Sequence, residues 1–144
     1  MIFYIILLVW IILDLFTKNL AYIYLQHKIS ILWDFLYLKF TLNPWIAFWI
    51  EIYPFLLKII TISLIILIFY YYKNERKNNK NIKLFDISFS LILAWAIWNA
   101  LERIFNSYVI DFIWVKYFSV FNLADSFITI GAIIYMYILY KNNK

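Results

Sequence analysis

Cysteine is absent from the 144 residues, which excludes disulfides, thiolate metal sites and thiol nucleophiles. Histidine occurs once, at His27. A metal centre normally draws several ligands from His or Cys, so His27 reads as a loop residue. Glycine occurs once and proline twice, and neither a linker nor an internal repeat breaks the chain. Charge is scarce as well, at 15% of residues against about 25% in ordinary soluble domains.

Apolar residues fill the space left by these absences. They make up 67% of the chain, with a mean hydropathy of +0.82, where soluble domains hold roughly 45–50%. A soluble globule of this size needs a polar skin that this composition cannot supply. Lipid is the matching solvent. Spanning a bilayer takes about 20 apolar residues, and four stretches qualify, at about 2–25, 50–72, 84–105 and 121–140. The first is too long and too polar in its centre for a cleavable signal peptide, and no small-residue cleavage site follows it. The length allows one membrane-embedded domain covering residues 1–144.

The net charge of +5 comes mostly from Lys73, Arg76, Lys77, Lys80 and Lys83 in one loop, and from Lys141 and Lys144 at the tail. Basic clusters of this kind mark cytoplasmic segments, not nucleic-acid affinity. An even number of spans puts both termini on the same side as that loop. Aromatic residues reach 24% and gather near the ends of the apolar runs, where amphipathic rings favour the headgroup level. On the other side, residues 29–41 are rich in β-formers with partial alternation and read as a small amphipathic β-element. Residues 106–120 read as a short connection mixing Asp111 and Lys116 with aromatics.

A charge near the bilayer centre costs roughly 2.5–3.5 kcal/mol on insertion scales, so charges in or against spans call for a reason. Asp14 and Lys18 are four apart on the first span, on one face and able to pair; such a pair either anchors packing or serves a site. Asn43 precedes Pro44 in a turn leading to the second span. Asn99, Glu102 and Arg103 share a face of the third span, which either snorkels to the interface or points into the bundle. Asn122 and Asp125 stand three apart at the start of the fourth, after Asp111 in the preceding connection. The two aspartates could cap helices or pair with Lys18 and Arg103. Alternatively they could share one proton around a water, because neighbouring carboxylates cannot both ionise cheaply.

Taken in order, Asp14-x-x-Thr17-Lys18, Asn43-x-x-x-Ala47-Phe48, Asn99-x-x-Glu102-Arg103, Val109-Ile110-Asp111-Phe112-Ile113 and Phe121-Asn122-x-Ala124-Asp125-Ser126 resemble the motif set of the lipoprotein signal peptidases. The resemblance covers nearly the whole chain. It implies an all-α membrane protein, a four-helix bundle with a small extracytoplasmic β-cradle, in the bacterial cytoplasmic membrane. It implies an aspartyl endopeptidase that cuts prolipoproteins before a diacylglyceryl-modified cysteine, with Asp111 and Asp125 as the catalytic pair. Asp14, Lys18, Asn43, Asn99, Arg103 and Asn122 would then bind substrate or support the pair. Neither metal nor organic cofactor is expected; the expected partners are the lipidated substrates and membrane lipids, with no nucleic acid and a monomeric chain.

Some positions depart from the family pattern. Pro44, Trp45 and Ile46 follow Asn43 where the family has glycine and small residues, and the stretch before Asn99 reads Ala94-Trp95-Ala96-Ile97-Trp98 where the family is glycine-rich. Glu102 replaces the aspartate usual before Arg103, and Gly131 keeps a family-like glycine. Two rival readings make different predictions. A small transporter subunit needs polar residues running through to the cytoplasmic half, whereas here they crowd the outer side. A degenerate relative acting as a scaffold needs the two aspartates to be dispensable.

Overall fold

The computed structural model describes residues 2–44 and 53–142. Trp45, Ala47 and Phe48 of the Asn43 block and residues 50–52 of the second expected span lie outside the described residues. The elements run α1 (Ile2–Tyr24), β1 (Ile29–Leu32), β2 (Leu36–Asn43), α2 (Pro54–Arg76), α3 (Ile82–Asn106), β3 (Val109–Val115), β4 (Val120–Phe121) and α4 (Leu123–Asn142). All four helices are long and apolar enough to cross a membrane. A helix satisfies its own backbone groups, which hydrocarbon cannot do.

Helix α3 is the centre of the bundle and packs on each of the other three. Its hydrophobic window is 61% buried, against 11% for α2. Small residues make this position tenable, because Ser88, Ser90, Ala94, Ala96 and Ala100 are all buried and let neighbouring backbones approach. The closest approach is to Gly131 on α4. A Cβ there would lie 2.8 Å from both the Ser88 carbonyl oxygen and Ile92 Cγ1. Ser88 Oγ donates to the Gly131 carbonyl at 2.7 Å, tying the two helices where only glycine fits.

The helix ends differ from the hydropathy boundaries for local reasons. Helix α2 runs on to Arg76, a residue that the charge pattern assigned to the solvated loop. Arg76 donates to both oxygens of Asp86, at 2.7 and 2.8 Å, and Tyr72 Oη donates to the same carboxylate at 2.8 Å. The last turn of α2 is thereby tied to α3. Beneath this clamp, Phe3, Tyr72, Phe85 and Phe89 form an aromatic cluster, with Phe3 stacked on Tyr72 at 4.2 Å. Helix α3 begins at Ile82 because the Asn81 side chain accepts from Leu84 N–H at 3.4 Å, an N-cap bond. It ends at Ser107, whose left-handed φ of 64° turns the chain into β3.

Strands β1 to β4 form one antiparallel sheet in sequence order. Residues 29–41 contribute β1 and β2 as their β-forming composition suggests. The connection at 106–120, read as merely mixed, also carries strands. The physical reason is pairing: β3 lies along β2, with Asn43 opposite Val109 and Thr41 opposite Asp111, so each strand completes the other's backbone hydrogen bonds. Trp114 stacks on Tyr37 at 5.6 Å and donates to Thr41 Oγ1 at 2.9 Å. The architecture is thus four long apolar helices plus a small antiparallel sheet.

Candidate active site

Helix α4 starts at Leu123, not at 121, and the shift has a chemical cause. The Asn122 side-chain oxygen accepts from Asp125 N–H at 3.2 Å, while Asp125 Oδ2 accepts from Asn122 N–H at 2.9 Å. This reciprocal exchange is a capping box with aspartate in the acidic place. The Asn-x-x-Asp spacing is therefore a helix start. It also leaves Asp125 Oδ1 and the Asn122 amide nitrogen free to face elsewhere.

They face Asp111. Strand β3 carries its carboxyl group inward, 3% exposed, where Oδ1 accepts from Asn122 Nδ2 and Oδ2 from Asn43 Nδ2, both at 2.7 Å. Burial pushes the Asp111 carboxyl up to about 7; the Asn43 donation opposes that rise and the nearby charge of Asp125 adds to it. Asp111 and Asp125 line one cavity of about 610 Å³. Asn43, Asn99, Arg103 and Asn122 share its polar end. Leu57, Ile60 and Leu64 from α2 and Ile128 and Ile130 from α4 form an apolar wall.

Behind the cavity lies a second layer. Lys18 is 1% exposed, and its ammonium meets Asp14 Oδ2 at 2.8 Å, Glu102 Oε2 at 2.7 Å and Asn99 Oδ1 at 2.9 Å. Asp14 and Lys18 pair as their spacing predicts. The partners left open for Lys18 resolve in favour of Asp14 and Glu102 over the two later aspartates. Asp14 Oδ1 also accepts from the Ala124 N–H at 3.0 Å, holding the first turn of α4 against α1. Asn99 Oδ1 receives Asn122 Nδ2 at 3.3 Å as well, so the buried ion pair and the two aspartates belong to one hydrogen-bonded network. Glu102 reaches β3 too, accepting from Ile110 N–H at 3.4 Å. Arg103 lines the cavity within electrostatic range of Asp111 and Asp125, and its guanidinium donates to the Asn99 carbonyl at 3.3 Å.

Every candidate residue thus falls into this network or on this cavity, and Asp14 and Lys18 are the two that stand behind the cavity wall. Sequence reasoning missed Trp95. Its indole N–H donates to Asp125 Oδ1 at 2.7 Å. Its position four residues before Asn99 on α3 was the available signal. Among the described residues, no group of three or more His, Asp or Glu side chains is placed to hold a metal ion.

Similarities to known proteins run the length of the chain. It is 35% identical over 138 residues to a lipoprotein signal peptidase of Chlorobium phaeobacteroides, covering 85% of each protein. With one of Caldicellulosiruptor bescii it shares 35% over 142 residues, 98% of this chain and 92% of that one. The fold is similar to a bacterial membrane enzyme solved in meso at 2.3 Å resolution, with a TM-score of 0.79, 25% identity, and coverage of 99% of this chain and 89% of the other. The family model for signal peptidase (SPase) II matches residues 6–141, and the chain belongs to that family.

Proposed function

We propose that this membrane protein hydrolyses a single peptide bond in lipid-modified pre-proteins, using Asp111 and Asp125 as an acid pair around one water. As a member of its family it is an aspartic-type peptidase that removes the signal peptides of lipoprotein precursors. The finer reading places the cut before a diacylglyceryl-modified cysteine. One observation carries it: both carboxyl groups line one largely apolar cavity and are tied to the same residue, Asn122.

One member of the pair, as base, takes a proton from the water while the other gives a proton to the scissile carbonyl oxygen. Asn43 and Asn122 hold Asp111 in place, and Arg103 offers the substrate backbone a cation with several donors. Asn99, Lys18 and Asp14 keep the floor of the site rigid. The wall of Leu57, Ile60, Leu64, Ile128 and Ile130 suits the acyl chains and the signal helix, which enter sideways from the bilayer.

Residues 1–144 act as one domain and as a monomer in the bacterial cytoplasmic membrane. The basic turn between α2 and α3 and both termini lie in the cytoplasm, which the bias toward Lys and Arg supports. The sheet is then an extracytoplasmic cradle beside the site. The test is cleavage of a diacylglyceryl-modified precursor by purified protein in detergent. Asp111→Asn and Asp125→Asn should each abolish signal-peptide release while the protein still inserts and folds. Normal cleavage by either variant would refute the acid pair.

A further inference from the structure

Trp95 is half-buried and packed among Leu91, Ala94, Ala124 and Phe127, so its indole is held by more than its hydrogen bond. The N–H it gives to Asp125 Oδ1 comes from a group that can only donate. The same holds for the backbone N–H of Asn122 on Oδ2. Both oxygens of Asp125 therefore meet partners that cannot accept a proton. Asp111 is placed differently. Its partners are two primary amides, and that of Asn122 is oriented because its oxygen accepts from Asp125 N–H. A primary amide carries an acceptor oxygen as well as its NH2, so the partners of Asp111, unlike those of Asp125, are not groups that can only donate.

We propose that Trp95 is a positioning residue: its indole N–H holds Asp125 as the unprotonated partner, which makes Asp125 the base and Asp111 the acid. The proposal rests on the acid-pair reading above. In the first step a water O–H proton passes to Asp125, the water oxygen bonds to the scissile carbonyl carbon, and the Asp111 proton passes to the carbonyl oxygen. The gem-diol that results carries no net charge. As it collapses, Asp125 gives its proton to the leaving nitrogen, the C–N bond breaks, and Asp111 recovers a proton from one hydroxyl. Both side chains return to their starting states.

The charged groups that act on this pair are Arg103 from α3 and Asp14 and Lys18 from α1. Lys18 and Glu102 engage one another behind it, and Lys58 of α2 is bonded to the Ile104 carbonyl. None of these is altered by a change confined to the indole nitrogen.

The experiment compares the full-length enzyme with Trp95→Phe and with a protein carrying 3-benzothienylalanine at position 95, which keeps the bicyclic shape and loses the N–H. Each is assayed on a diacylglyceryl-modified precursor peptide across pH, alongside Asp125→Asn. The expected result for the isostere is a fall in kcat of about tenfold or more, KM within about twofold of wild type, and an acidic limb displaced to higher pH, since a lost donor favours the protonated pair. An isostere that matches wild type in kcat and pH profile, or that changes KM alone, would overturn the assignment and leave Trp95 a packing residue. Cleavage by Asp125→Asn would instead remove the acid pair itself, a separate failure. Should Trp95→Phe unfold, the isostere still decides.

Discussion

Asn122 Nδ2 lies 2.7 Å from Asp111 Oδ1, and the same asparagine starts α4 by exchanging hydrogen bonds with Asp125. One residue thus couples the strand that carries one acid to the helix that carries the other. Loss of the side chain should harm both duties. Asn122→Ala is expected to lower stability by about 1 kcal/mol through the lost cap and to lower kcat by a larger factor, about a hundredfold, because the acids lose their common tie. Thermal unfolding in detergent measures the first effect and precursor cleavage the second. A stable variant with normal kcat would contradict the coupling.

The buried position of Asp111 makes stability depend on pH in a definite direction. Its carboxyl rises from an ordinary 3.8 to about 7 on folding, so the folded state binds this proton more tightly than the unfolded chain does. Its contribution is therefore full below about 3.8 and is lost as pH climbs through about 7. Asp111→Asn cannot ionise and should not show this loss. The wild type should lose stability relative to Asp111→Asn between pH 4 and pH 8, roughly the window between those two values. Parallel denaturant midpoints across that range would argue against a raised Asp111.

Lys18 offers a sharper stability test. Its ammonium faces Asp14 and Glu102 in a site that is 1–7% exposed. Removing one member of a buried ionic cluster strands the others, a cost of about 3–5 kcal/mol. Lys18→Met should be strongly destabilised, and Lys18→Met with Glu102→Gln should recover part of the loss. Recovery is read from unfolding midpoints. A double variant no better than the single one would mean that Glu102 is not the stranded charge.

The absence of cysteine makes topology simple to measure. Asn79→Cys, in the basic turn between α2 and α3, should react with an impermeant thiol reagent only after the cytoplasmic side is opened. Tyr117→Cys, in the turn between β3 and β4 and 92% exposed in the wild type, should react from outside. The reverse pattern would invert the proposed orientation.

Several features were legible from composition and spacing because they depend on neighbours along the chain. Hydropathy summed over a window identifies a span, as the four helices illustrate. Spacing of four along a helix identifies a shared face, and Asp14 meets Lys18 accordingly. The order of the polar blocks was enough to suggest the family. Other features needed the fold. Arg76 could not be seen as a helix residue without Asp86 across the bundle, and residues 109–121 could not be seen as strands without β2 beside them.

Sequence by itself determined that the chain partitions into lipid, how many times it can cross, and which few charges had to be sheltered there, because solvation is paid residue by residue. Tertiary structure alone decided who shelters whom: Lys18 with Glu102 across 84 positions, Asp14 with the Ala124 N–H across 110, and Asn43 with Asp111 across 68. Those pairings have no local signature. A buried charge specifies only that it needs a partner, and many sequence positions could supply one; packing around α3 selects among them, and it also turned Trp95 toward Asp125.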